Sequence, residues 1–160
     1  MLKHLSLSHS RVFAIVGFNP RKKYAVPPQQ RVEMLQAMID GAGLRNIEAV
    51  LVDGLVWKWC SRMGIKTMYR GIRTWSSDGA AETHLHFQNT FFPPFLGPSL
   101  PIPTVFLLGD PAYNHISSTL VRDICGGEGE EKEKRGRLEE LVGGEIVERV
   151  AESYGGREGE

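Results

Sequence analysis

Cysteine is scarce in this chain, with only Cys60 and Cys125 among 160 residues. They lie far apart in apolar, helix-like surroundings, which excludes a disulfide framework and a cysteine-built zinc site. Buried, reduced thiols are expected. An excess of one charge is lacking too: nineteen basic and nineteen acidic residues cancel, so no whole-molecule field favours nucleic acid or an anionic membrane. Any basic site has to be local. No apolar run approaches the roughly 18 to 20 residues of a membrane span, and no internal repeat is present. What remains, 41% hydrophobic, is the composition of one globular domain that buries about two-thirds of its unfolded surface. The first eleven residues carry Lys3, Arg11 and three serines without an acid. Organelle-targeting segments share that composition, but the stretch is too short to define one, and a cytoplasmic location is expected.

Apolar periodicity lays out an alternation of strands and helices. Val12 to Phe18 is a β-branched and aromatic run closed by Asn19-Pro20, as in a strand of a buried parallel sheet. Pro27-Pro28 starts a helix with Val32, Leu35, Met38 and Ile39 on one face, ended by Gly41 and Gly43. Ile47 to Val52 reads as a second strand, and Val56, Trp59, Cys60 and Met63 as one face of a helix stopped by Gly64. Ile65 to Tyr69 reads as a third strand. Asp78 is expected to cap a helix running toward Thr90. Phe91 to Pro103, with five prolines, is expected to be irregular. Thr104 to Leu108 is a fourth strand, followed by a helix capped by Ser117 or Ser118, with Leu120, Val121 and Ile124 inward. Such alternation predicts an α/β domain, Rossmann-like, with a parallel sheet flanked by helices and ligands beyond the carboxyl ends of its strands.

Four segments are expected: a distinct N-terminal stretch (1–11), the α/β domain (12–125), a mobile Gly- and charge-rich insert (126–137) and a C-terminal helical segment with a tail (138–160). The insert has almost no apolar residue. Leu138, Leu141, Val142, Ile146 and Val150 supply the last apolar face, interrupted by Gly143-Gly144.

Three short stretches place donors or cations at an expected strand end or helix start, where unpaired N–H groups and a partial positive charge favour phosphate. They are Asn19-Pro20-Arg21-Lys22-Lys23, Tyr69-Arg70-Gly71-Ile72-Arg73 and His115-Ile116-Ser117-Ser118-Thr119-Leu120-Val121-Arg122. Each has a plainer reading: a solubilising turn for Lys22 and Lys23, surface arginines for Arg70 and Arg73, an ordinary cap for Ser117, Ser118 and Thr119, a solvated helix face for Arg122. Two arginines three apart around Gly71 suit a polyphosphate, because each guanidinium presents a planar fork and glycine permits close approach. His84 and His86 point in different directions on a helix and do not converge on a metal. Trp57 and Trp59 read as core or core-edge packing, with Trp57 as a possible wall of a ligand pocket beside Gly54 and Leu55.

In this order, together with Arg31-Val32-Glu33-Met34-Leu35 at a helix start, the stretches resemble the phosphopantetheine adenylyltransferases of the nucleotidyltransferase superfamily. The likeness runs from Val12 to Cys125, with a weaker continuation to Ala151. It implies ATP and 4'-phosphopantetheine as partners, Mg²⁺ accompanying the ATP, no covalent enzyme intermediate and self-assembly into a homo-oligomer. It also implies Lys23, Arg70 and Arg73 as the charges that assist transfer. Gly71, Glu82, Ser117, Ser118, Thr119 and Arg122 would be nucleotide-binding, and Lys23, Gly54 and Leu55 acceptor-binding; no metal-ligating side chain is expected. Glu82 sits one residue out of the family's spacing. The family's opening strand, Gly-rich turn and His-x-Gly-His element do not occur; His4 and His9 have neither the glycine nor the spacing. The sheet is therefore expected to lack its first strand and helix, leaving an open edge and an apolar face. Two alternatives follow: a catalytically impaired nucleotide-binding or interaction protein, or an incomplete gene product. Ile-Ser-Ser-Thr-x-x-Arg also resembles the nicotinamide mononucleotide adenylyltransferases.

Overall fold

A computed structural model describes residues 1–18, 20, 23–72, 102–127 and 129–155. The chain divides into two compact units, one made of Met1 with Val52–Asn114, the other of Leu2–Leu51 with His115–Glu160. Asp78, Glu82, His84, His86, Arg73 and most of the proline-rich stretch lie outside the described residues, as do Asn19, Arg21 and Lys22.

The second unit opens with helix α1 (Leu2–Ser8), then strand β1 (Val12–Phe18), helix α2 (Pro28–Gly41) and strand β2 (Ile47–Asp53), which pairs with β1. Proline at the second unit's α2 start costs nothing, because a first-turn N–H has no acceptor inside the helix; Pro27 is the cap residue. The helix ends as expected at Gly41, and Gly43 takes φ +68°, a region open to glycine at little cost. Ala14, Ile39 and Ile47 form a small core, with Leu2, Val12, Leu35, Leu44 and Ala49 packed around it. Gln36 Oε1 accepts the Ala49 N–H at 2.8 Å, so a side chain of α2 satisfies a backbone donor of β2.

Helix α1 was not expected. Its serines bond back to their own helix, Ser6 Oγ to Lys3 O at 2.8 Å and Ser8 Oγ to His4 O at 3.2 Å. Leu5, only 3% exposed, provides the burial that outweighs their weak helix propensity. Asn46 Nδ2 donates to both Ser6 O and His9 O, at 2.9 and 2.8 Å, and fastens the end of α1 to the turn before β2.

After Ser117 come α4 (Ser118–Gly126), α5 (Glu131–Val142) and α6 (Val147–Gly155). Ile124, Cys125, Leu138, Ile146, Val147 and Val150 make the larger core of this unit, against which Met34, Ala37, Leu120, Val121 and Tyr154 pack. Helix α5 corrects the expectation of a mobile insert over 126–137, since Glu131 to Arg137 are helical. Glu, Lys and Arg are good helix formers, Glu131 and Glu133 suit the positive end of the helix, and Arg135 pairs with Glu148 on α6. Leu138, 1% exposed, then ties the charged stretch to the core.

The first unit holds helix α3 (Val56–Arg62), strands β3 (Met68–Ile72) and β4 (Thr104–Leu108), and a 3-10 turn over Pro111–Tyr113. Strands β3 and β4 are parallel, in register from Met68 opposite Thr104 to Ile72 opposite Leu108. The α/β class predicted from alternation holds, with the strands in two pairs among the described residues. On α3 the buried side chains are Trp57 and Cys60, while Met63, expected inward, is 48% exposed. The third strand starts three residues later than Ile65. Gly64, at φ +67°, lets the Ile65 N–H return to Cys60 O at 2.9 Å and close α3, so pairing begins only where the Met68 N–H meets Pro103 O.

Candidate functional site

The start of α4 is built by one side chain. Ser117 is extended (φ −146°, ψ 159°) and its Oγ accepts the Leu120 N–H at 3.1 Å, the geometry of an N-cap. Capping of Leu120 leaves the N–H groups of Ser118 and Thr119 in a first turn that has no intrahelical acceptor for them. Both residues are exposed. Arg122 folds over the same turn: its Nε donates to Ser118 O at 3.0 Å and its Nη2 to Thr119 Oγ1 at 3.3 Å. Ser117, Ser118, Thr119 and Arg122 are thus brought together at one helix start, with a full charge added to the helix dipole.

In the same unit, Lys23 is exposed on the connection between β1 and α2, beside half-buried Tyr24 and buried Val26. A groove of about 260 Å³ has Val26, Arg31, Met34 and Met38 on one side and Ser118, Val121, Val150 and Tyr154 on the other. Val26, three residues after Lys23 on the same connection, and Ser118 at the start of α4 therefore line one depression, while Lys23 itself is not among its lining residues. Arg31 is the residue that sequence reasoning left out of the site. It entered that reasoning only as part of an Arg-Val-Glu run, yet a side chain in the first turn of α2 leans toward the helix N-terminus, and its guanidinium lies 5.7 Å from the centre of the Tyr24 ring.

Arg70 and Gly71 are in the first unit. Both were expected beyond a strand end; both lie inside β3, Arg70 opposite Phe106 and Gly71 opposite Leu107, because the strand is shifted toward the C-terminus. Arg70 is half-buried. Gly71 is not among the glycines at positive φ, and the atom closest to a side chain added there is Met1 Sδ at 3.3 Å. Arg73 and Glu82 fall outside the described residues. Gly54 does need its freedom: at φ +79° it turns the chain from β2 into α3, and exposed Leu55 follows as the cap residue. Trp57 is 3% exposed and belongs to the core rather than to a pocket wall; Lys58 Nζ stands 5.6 Å from its ring centre.

Both cysteines are free and buried. Burial pushes the Cys60 thiol from 9.0 up to about 11. Burial raises Cys125 as well, with the charge of Lys134 opposing and Glu131 adding a smaller rise. Neutral, unreactive thiols follow. Among the described residues no cluster of His, Cys, Asp or Glu is placed to hold a metal ion. No described helix is long and apolar enough to cross a membrane.

Comparison with known proteins points in one direction. The chain is 36% identical over 115 residues to the phosphopantetheine adenylyltransferase of Leifsonia xyli subsp. xyli, an overlap of 71% of this chain and 67% of that protein. It is 31% identical over 137 residues to the one from Arthrobacter sp., covering 84% and 80%. With that of Caldanaerobacter subterraneus subsp. tengcongensis it shares 26% over 144 residues, covering 90% and 80%. No protein-family model matches the chain.

Proposed function

The chain belongs to the phosphopantetheine adenylyltransferase family, and we propose that it transfers the adenylyl group of ATP to 4'-phosphopantetheine, giving dephospho-coenzyme A and pyrophosphate. An oxygen of the acceptor phosphate attacks the α-phosphorus in line, and the bond to the bridging oxygen breaks as pyrophosphate leaves. Such a reaction needs little covalent help; it is accelerated by alignment and by fixed positive charge where negative charge moves. Lys23 takes the acceptor phosphate. The first-turn N–H groups of Ser118 and Thr119, with Arg122, take ATP phosphates, and Ser117 holds that turn open by capping it. Arg70 and Arg73 offset charge on the leaving pyrophosphate, Glu82 contacts the nucleotide, and Gly54 and Leu55 meet the acceptor's chain. Mg²⁺ enters as the triphosphate's companion, and no step is assigned to an ion held by side chains. Self-association is part of the same proposal.

The observation that carries this reading is the Ser117-capped start of α4 with Arg122 folded over it, bordering the depression that the Lys23 connection also borders. Helix starts of this kind are suited to anions. The test is pyrophosphate release from ATP with 4'-phosphopantetheine or nicotinamide mononucleotide as acceptor. Release only with the first is expected. Preference for the second would move the chain to another branch of the superfamily, and ATP binding without release from either would leave a nucleotide-binding protein.

A further inference from the structure

We infer that Tyr24 is a positioning residue for Lys23, an inference that rests on the reaction proposed above. The Tyr24 ring touches both elements that flank the connection it sits on. Its centre is 6.0 Å from that of Phe18, the last residue of β1, at a 39° tilt. Arg31, in the first turn of α2, holds its guanidinium carbon 5.7 Å from the same ring. The Arg31 N–H donates to Pro27 O at 3.1 Å and fixes the turn from which that guanidinium reaches back. Tyr24 is therefore a clasp between the end of a strand and the start of a helix, and the residue bonded to it is Lys23.

The consequence follows from the lysine's own chemistry. An exposed ammonium on a four-carbon stem loses much rotamer freedom when it is fixed on a phosphate. If its Cα also wandered, the backbone's freedom would be lost at the same moment and the contact would weaken further. Phe18 and Arg31 hold the ring, the ring holds the backbone next to Lys23, and that part of the ordering is completed before substrate arrives. Aromatic pairs and exposed cation–π contacts are each of a size that makes the expected gain about tenfold.

The experiment is a double-mutant cycle on the full chain, with Lys23→Ala, Tyr24→Ala, their combination and Tyr24→Phe. It is read by kcat/KM for transfer and by calorimetric binding of 4'-phosphopantetheine, which needs no turnover. Thermal unfolding of each variant accompanies it. The expected result is a loss of about tenfold in Tyr24→Ala, most of it restored by Tyr24→Phe, and no further loss when Tyr24→Ala is added to Lys23→Ala. A loss that simply adds in the double variant, or an equal loss in Tyr24→Phe, overturns the inference. A wild-type chain that binds neither substrate and releases no pyrophosphate overturns the functional reading, and the inference with it, which is a different result from additivity.

Discussion

Replacing Ser117 by aspartate separates the two jobs assigned to the start of α4. Aspartate caps a helix as well as serine does, and its charge suits the positive end of the helix, so the carboxylate can accept the Leu120 N–H now 3.1 Å from Ser117 Oγ. Ser117→Asp should therefore unfold at the wild-type temperature or slightly above. The same carboxylate would stand within roughly 5 Å of a phosphate seated on the first turn, where repulsion at an effective dielectric near 20 is about 3 kcal/mol per unit charge. ATP affinity should fall more than a hundredfold. Ser117→Ala gives the opposite pattern. Loss of the cap costs about 1 kcal/mol, or about 2–4 °C in a chain of this size, while Ile124 and Cys125 keep the rest of α4 in the core, so ATP affinity drops only a few-fold. The assays are thermal unfolding without ligand and calorimetric titration with ATP and Mg²⁺. Wild-type ATP affinity in Ser117→Asp refutes the phosphate role of this helix start, however well the variant folds.

Leu138→Ala should remove about 2–5 kcal/mol, because the side chain is 1% exposed and leaves a cavity between helices; Leu7→Ala, at 88% exposed, should change the midpoint by almost nothing. Urea unfolding of both variants measures the contrast. Cys60 makes stability fall at high pH. Its thiol titrates near 11 in the folded chain against 9.0 in the free residue. Below pH 9 both states keep the proton, and between 9 and 11 only the unfolded chain releases it. The loss approaches at most about 3 kcal/mol, and Cys60→Ala should flatten that part of the profile. For the same reason neither cysteine should react quickly with a thiol reagent at pH 8 until the protein is unfolded.

Much of the fold was legible because the signals were local. The limits of β1 and β4 follow from apolar runs ended by Asn-Pro or Gly, and the limits of α2 from Pro28 and Gly41. The errors came where a distant partner decides. The third strand begins at Met68 because Pro103 supplies the first acceptor there, a residue more than thirty positions away. The charged stretch from Glu131 is helical because Leu138 finds a core made by α4 and α6, and α1 forms because Leu5 is buried and Asn46 fastens its end. At the site, a cap at Ser117 or Ser118 was readable from the helical pattern behind it, and the hydrogen bond to the Leu120 N–H decides for Ser117. Arg31 was not, because its importance lies in facing Tyr24 and the groove, and a motif names a residue without giving its direction.

Pyrophosphate release from ATP plus 4'-phosphopantetheine, compared among wild type, Lys23→Ala and Arg70→Ala at matched folded concentration, tests the central claim most directly. Held positive charge at these positions predicts clear release by the wild type and a fall of at least tenfold in each variant. Equal background rates in all three would contradict it.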